Sequence, residues 1–236
     1  SGNGNHGTVH GATLGIDRHG HQGMAYEFDG INDWIGLNQS ISSDEFTVSL
    51  WSRFSGDLEG VIFSNYDDGP PRKGGLIRFY GDKSFRFSES NLQQNDNIHF
   101  LLAAEEYSSG IWNNFLFTFE NKVANFFLNA ELKGSIEQLD PSSETLITVG
   151  KSSWANDRYL HGSVDDIRIY ERALSSSEVH ILFELEKPIP LQPLTDANFQ
   201  DAINLWFNAE ANATATYGHI RDWNVSAVTS MSQAFK

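Results

Sequence analysis

The chain contains no cysteine. That excludes disulfides, thiolate metal centres and cysteine nucleophiles. Positive charge is also scarce: 16 Lys and Arg stand against 31 Asp and Glu, a formal net charge of −15. Phosphate backbones and anionic lipid surfaces are bound through clustered basic side chains, so nucleic acid is not expected as a partner. Divalent cations suit such a surface, and so does plain solubility. No apolar run reaches the roughly 18–20 residues that cross a bilayer, so membrane insertion is not expected either. Neither an initiator Met nor a signal peptide opens the sequence at Ser1, as expected of an excised or processed piece.

What is present favours strands. The 236 residues are 39% hydrophobic and 13% aromatic, with 17 Phe, 7 Tyr and 6 Trp. This supports a sizeable core, and the aromatics are strand formers. Residues 1–23 are rich in Gly, His and Asn and read as loop. Strands are expected at Met24–Phe28 and Asp33–Leu37, flanking the turn Asp29-Gly-Ile-Asn32. Phe46, Val48 and Leu50 alternate with Thr47, Ser49 and Trp51, which puts Phe46 and Trp51 on opposite faces. Further strands are expected at Val61–Ser64, Leu76–Tyr80, Ser84–Phe87, Ile98–Ala103, Trp112–Glu120, Val123–Asn129, Leu146–Gly150 and Gly162–Tyr170. About 13 short strands with regular turns define an all-β sandwich or barrel.

The pattern changes near the end. Ser175-Ser-Ser-Glu178 is a capping box and opens a short helix carrying Val179, Leu182, Phe183 and Leu185. Residues 187–194 hold three of the six Pro and read as a stiff linker. Thr195-Asp196 is the expected cap of a second helix, with Phe199, Ile203, Trp206 and Phe207 on its apolar side. The domain plan is therefore a sandwich over 1–186, a linker over 187–194 and a small, partly helical tail over 195–236.

Three segments carry a resemblance: Ser1-Gly-Asn-Gly-Asn-His-Gly-Thr-Val9, Tyr26-Glu-Phe-Asp-Gly-Ile-Asn-Asp-Trp-Ile35 and Gly162-Ser-Val-Asp-Asp-Ile-Arg-Ile-Tyr-Glu-Arg-Ala-Leu-Ser175. Together they resemble the laminin-G-like, concanavalin-A-type lectin/glucanase domains of bacterial surface proteins and glycosidase accessory modules. The resemblance implies a two-sheet antiparallel jelly-roll sandwich, an exported bacterial protein and bound calcium. The strand and acidic residue that usually precede the first segment are absent here. The family's Asn-Gly hairpin is replaced by Asn129-Ala130, where a turn other than type I′ is expected. The tail segment Trp223-Asn-Val-Ser-Ala-Val-Thr-Ser-Met-Ser-Gln-Ala-Phe235 resembles the leucine-rich-like repeat of BspA-type and mycoplasma surface proteins. Such repeats normally need stacked neighbours to bury a face, so a truncated array is expected.

The calcium site implied by the resemblance ties the N-terminal loop to the last strand. Its candidate donors are Asn3, Asn5, the Gly30 carbonyl, Asp33, Asp165 and Asp166. Strict alternation sends Asp165 and Asp166 to opposite faces. With Ile167 and Ile169 inward, Asp165 shares the core face, where a carboxylate needs a metal or an ion pair. The alternative to calcium is an ion pair with Arg168 or Arg158.

For a ligand, aromatic rings that stack on sugars and polar neighbours that bond to hydroxyls are mixed in residues 152–161. Trp154, Asn156, Arg158, Tyr159 and His161 are the first candidate set; Tyr66, Asp67, Asp68 and Arg72 are the second. The alternative for Trp154 is packing over the sandwich edge, and Trp34, Trp51 and Trp112 are assigned mostly to the core. Catalysis has less support. Retaining glycosidases use carboxylates about 5–5.5 Å apart, and no strand carries such a spacing. Glu105 and Glu106 are adjacent, while Glu89 and Glu131 have no partner in register. The pairs His6/His10 and His19/His21 lack a third zinc ligand, and no Gly-x-Ser-x-Gly elbow occurs.

The reading is a non-catalytic binding module of a secreted or cell-surface bacterial protein. Its expected partner is a glycan or polysaccharide, with calcium as a structural ion. The alternatives are a protein–protein adhesion or spacer domain that binds a surface protein, and a glycoside hydrolase.

Overall fold

The computed structural model describes residues 6–41, 43–55, 60–66, 74–79, 85–90, 97–102, 110–137, 143–153, 156, 158–188, 192–218 and 220–231. The strands are β1 (Gly7–His10), β2 (Thr13–Ile16), β3 (Gln22–Asp29), β4 (Trp34–Leu37), β5 (Phe46–Phe54), β6 (Gly60–Ser64) and β7 (Gly75–Phe79). They continue with β8 (Phe85–Ser90), β9 (Asn97–Leu102), β10 (Asn113–Glu120), β11 (Val123–Leu128), β12 (Glu131–Glu137), β13 (Thr148–Val149) and β14 (His161–Tyr170).

These build two seven-stranded antiparallel sheets. The first runs β1-β4-β13-β6-β7-β8-β9 and the second β12-β11-β10-β5-β14-β3-β2. Alternation decides what lies between them. Ile35, Ile62, Ile147 and Val149 of the first sheet and its connections meet Phe46, Val48, Leu50, Phe115, Phe117, Phe126 and Val164 of the second. This is the jelly-roll sandwich that the resemblance implies, and of the sandwich and barrel left open by the strand pattern it is the former.

The second sheet is apolar on its outer face too, because a helix covers it. Helix α1 (Ser176–Glu186) opens with the expected capping box: Ser175 accepts from the Glu178 amide, and Glu178 accepts from the Ser175 amide. It lays Val179 and Leu182 on Leu116, Phe127 and Leu174, and it stacks Phe183 on Trp51. Phe46 and Trp51 do take opposite faces, with Phe46 between the sheets and Trp51 under the helix.

Three strands depart from the expectations. β1 and β2 occupy a stretch read as loop, and each is held by a partner: Thr8 faces Gly36 and Leu14 faces Tyr26. β12 is an edge strand with exposed Glu131 and Glu137, a pattern too polar to signal a strand. The Asn129-Ala130 turn is also a correction. Both residues take positive φ, 51° and 64°, the type I′ signature, despite Ala in place of Gly. Asn129 locks it by accepting from the Asn114 amide and donating to Asn113 Oδ1, both at 2.9 Å.

After α1 the chain forms a separate small core. Helix α2 (Phe199–Asn208) and helix α3 (Glu210–Tyr217) enclose Leu194, Phe199, Ala202 and Ile203, with Tyr217, Trp223, Val225 and Val228 packed against them. Trp223 meets Phe199, Trp206 and Tyr217 edge-on. The helix cap is Asn198 rather than Thr195 or Asp196. Asp196 instead accepts from the Thr229 amide and hydroxyl, closing the segment. Arg221 donates to Gln22 Oε1 on β3 at 2.8 Å.

Candidate functional site

Two tryptophans on the outer faces of the two sheets carry the polar chemistry of the molecule. Trp34 opens β4, where alternation turns Ile35 and Leu37 inward and Trp34 outward. This corrects the assignment of Trp34 to the core. Its indole lies over Gly36, where a Cβ would come within 2.9 Å of Cζ3. His10, the cross-strand partner of Trp34 on β1, stacks on it with centroids 3.9 Å apart and planes 6° from parallel. From the β13 side, Lys151 brings its ammonium to 4.2 Å from the indole centroid, a cation–π contact worth about 0.5–2 kcal/mol.

The backbone at Lys151 is pinned. The Gly150 amide donates to the Ile62 carbonyl at 3.0 Å, and the Gly150 carbonyl accepts from the Leu160 amide at 2.8 Å. The Thr148 hydroxyl donates to the Lys151 carbonyl at 2.9 Å. The Lys151 side chain is largely buried, and its ammonium donates to Asn156 Oδ1 at 2.9 Å. Desolvation pushes the Lys151 pKa down. Among the described residues no carboxylate forms an ion pair with it.

Trp51 sits in a closed counterpart. Its Nε1 donates to Glu186 Oε2 at 3.0 Å, and the Arg18 guanidinium lies 5.1 Å from its ring centroid. Arg18 reaches Asp165 at 2.5 Å and Asp166 at 2.6 Å and donates to the Glu186 carbonyl at 2.7 Å. Arg168 pairs with Glu186 at 2.6 Å and Asp166 at 3.5 Å. Burial pushes the Asp165 carboxyl up, against the opposing pull of Arg18.

This cluster answers the calcium expectation for Asp165 and Asp166. The N-terminal region is tied to the last strand, but by a guanidinium. Both carboxylates are matched by Arg18, so this donor set does not fit a metal ion. The expectation that Asp165 shares the face of Ile167 and Ile169 is overturned by a β-bulge. Asp165 faces Trp51 and Arg168 faces Ser49, so Asp166 and Ile167 together oppose Leu50. Asp166 takes positive φ, 44°. Asp165 therefore stays on the Trp51 face while Ile167 and Ile169 pack on the core.

The other expected donors lie elsewhere. His161 of β14 faces Asp29, at the turn carrying Gly30; Asp165 is four residues further along, about 13 Å at ordinary strand rise. Asp33 is buried, accepts from the Asp29 amide at 3.0 Å and sets its other oxygen against Gly11, where no Cβ fits. Asn3 and Asn5 lie outside the described residues. Among the described residues no three His, Asp or Glu side chains gather into a metal-holding group.

Of the first ligand set, Asn156 joins Lys151 beside Trp34, and Trp154 lies outside the described residues. Arg158 takes positive φ, 56°, and its carbonyl accepts from Val61. Tyr159 is half-buried, and His161 keeps a buried Nδ1 without a hydrogen-bond partner. Of the second set, Tyr66 is buried against Val61, and Asp67, Asp68 and Arg72 lie outside the described residues. Trp112 is half-buried, with Arg53 over its ring at 5.1 Å. Lys151, Trp34, His10 and Arg18 were missed by sequence reasoning. The signals were there: Arg18 is the only Lys or Arg in the first 52 residues, and Lys151 directly precedes the candidate loop.

A family model described as Concanavalin A-like lectin/glucanases superfamily matches residues 29–180. No curated protein matches in sequence. Among solved structures, the binding domain of Paraclostridial Mosquitocidal Protein 1 is similar at 21% identity and a TM-score of 0.61, over 77% of this chain and 48% of that one. The botulinum neurotoxin type G receptor binding domain is similar at 18% identity and 0.60, over 82% and 51%. The receptor binding domain of the botulinum neurotoxin C/D mosaic serotype is similar at 16% identity and 0.60, over 77% and 46%. The chain thus spans about half the length of these structures. No described helix is long and apolar enough to cross a membrane.

Proposed function

Because the chain belongs to the concanavalin A-like lectin/glucanases superfamily, we propose that it is a non-catalytic glycan-binding module of a secreted or surface-exposed bacterial protein. The observation that carries the proposal is Trp34. Its indole is held on the outer face of a rigid sheet by His10 and by Lys151, whose ammonium is bonded to Asn156, rather than packed in the core. Rigid scaffolds that present an aromatic ring and fixed polar groups suit sugar recognition. Calcium enters this reading through Asp33 and the Gly30 carbonyl, with Asn3 and Asn5.

The test is a glycan and polysaccharide array probed with the wild type and Trp34→Ala, in calcium and again in EDTA. Binding by the wild type and its loss in the variant, with the melting temperature lowered by no more than about 4 °C, is the expected result. Silence of the wild type in both buffers overturns the glycan reading. Loss of binding in EDTA supports the calcium donors, and its persistence removes calcium from recognition.

A second reading, adhesion to a protein partner, is favoured by Phe207 of α2 and Leu185 of α1, which are 69% and 79% exposed. It predicts self-association or capture of a protein partner that is abolished in Phe207→Ser.

A further inference from the structure

We propose that Lys151, Asn156, His10 and Trp34 form a subsite for the anionic group of an acidic glycan, a carboxylate or sulfate carried on a sugar ring. The inference rests on the glycan reading above and narrows its ligand class. It starts from an imbalance. The chain has nearly twice as many acidic as basic side chains, yet Lys151 forms no ion pair with a carboxylate among the described residues. The two other cations set against a tryptophan do have carboxylates: Arg18 holds two, and Arg53, over Trp112, reaches Glu27 at 3.7 Å. A largely buried ammonium is costly without a counter-charge, and a π face offsets only part of that cost.

The hydrogen-bond inventory points the same way. An ammonium has three donors and no acceptor. One donor goes to Asn156 Oδ1, which fixes the orientation of that carboxamide. The Asn156 amino group then stands beside the ammonium with both its donors uncommitted to any described residue, and Asn156 is exposed. The pair thus offers the remaining ammonium and carboxamide protons against one leftover lone pair on Oδ1, a donor excess that favours an anionic oxygen over a neutral hydroxyl. The parallel His10–Trp34 pair alongside supplies an apolar rim, with His10 exposed, for the sugar ring that bears the anion. Anchoring of the Lys151 backbone through Thr148 and Gly150 fixes the position of the donors before a ligand arrives.

The experiment is affinity electrophoresis of the intact chain through gels containing a polyuronate, a sulfated dextran or unmodified dextran, at several salt concentrations. Lys151→Met, Lys151→Arg and the distant control Lys133→Met are run beside the wild type, with thermal unfolding of each. The expected result is salt-sensitive retardation of the wild type by the polyuronate or the sulfated polymer and not by dextran. Whichever anionic polymer retards it identifies the anion as carboxylate or sulfate. Lys151→Met weakens binding by about tenfold or more, the scale of a charged hydrogen bond. Lys151→Arg retains part of it, and Lys133→Met changes nothing. Equal retardation by dextran, or an undiminished Lys151→Met, overturns the anionic subsite and leaves the glycan reading standing. Retardation by none of the polymers, together with silence on the array, removes both. Loss in Lys151→Met with a collapsed melting temperature and no rescue by Lys151→Arg assigns Lys151 to the scaffold and overturns the proposal.

Discussion

Trp51 and Trp34 face away from the same core, one on each sheet, and each has a cation near its ring, Arg18 at 5.1 Å and Lys151 at 4.2 Å. The resemblance ends at the next neighbour. Arg18 continues into Asp165, Asp166 and the Glu186 carbonyl, and Glu186 closes back on Trp51. Every charge there is answered within the chain, and the Trp51, Arg18, Asp165 and Glu186 side chains are buried while Asp166 and Arg168 stay partly exposed. Lys151 continues into a single neutral carboxamide. The same aromatic–cation pair thus serves architecture where its charge balance closes and remains available for recognition where it does not.

Substitutions can break this comparison, and the largest effect belongs to Arg18→Met. It leaves Asp165 buried without its cation, which typically costs about 3–5 kcal/mol. Chemical denaturation should show that loss, and a change below about 1 kcal/mol would mean that Asp165 finds another partner or protonates. Trp51→Phe retains the ring but removes the donor to Glu186, with an expected cost of about 1–3 kcal/mol. Trp34→Ala should cost about 1 kcal/mol or less in the same assay, since it forfeits mainly surface stacking and a cation–π contact. A loss as large as that of a core aromatic would return Trp34 to the scaffold. Lys151→Met is expected to leave stability unchanged or slightly raised, because it removes a desolvated charge that has no ion-pair partner.

Acid titration sharpens the contrast at the smallest scale. Arg172 and the Ser175 cap hold Glu178 down to about 2. Its contribution is therefore complete above the ordinary glutamate value and is lost as pH falls through about 2. Asp165 runs the other way: its pKa is raised, so its contribution is complete below the ordinary aspartate value and declines as pH rises through the raised one. Urea midpoints of Glu178→Gln and the wild type should converge toward about pH 2. A gap that persists there would show that the cap acts without its charge.

The sandwich was legible because its strands alternate. Phe46, Val48 and Leu50, or Phe115, Phe117 and Phe119, can bury a face only as strands. β1 and β2 were hidden because their stability comes from pairing with β4 and β3, not from their own Gly- and His-rich composition. The capping box of α1 was local and therefore readable. The Asp196 contact with Thr229 spans 33 positions and was not. The site divides in the same way. Asn156 was found within a loop of suitable composition. Trp34 was misplaced although its parity against Ile35 and Leu37 was open to inspection. Arg18 lies 147 positions from Asp165, a distance no spacing rule crosses. For Asp165 the sequence shows that a buried carboxylate needs a metal or an ion pair, but it offers Arg168 or Arg158 for the pair and not the distant Arg18.

The bulge in β14 has a consequence for sequence comparison. Between Asp165 and Arg168 the strand carries one residue more than its neighbour β5. Because that surplus restores the alternation beyond it, Asp166 occupies no rung of the ladder. Its deletion should spare the core phase of Ile167 and Ile169 and remove one carboxylate shared by Arg18 and Arg168. A relative one residue shorter here would align with a gap yet keep the same side chains facing inward. At this point in the fold, chain length is free to change without changing what is buried.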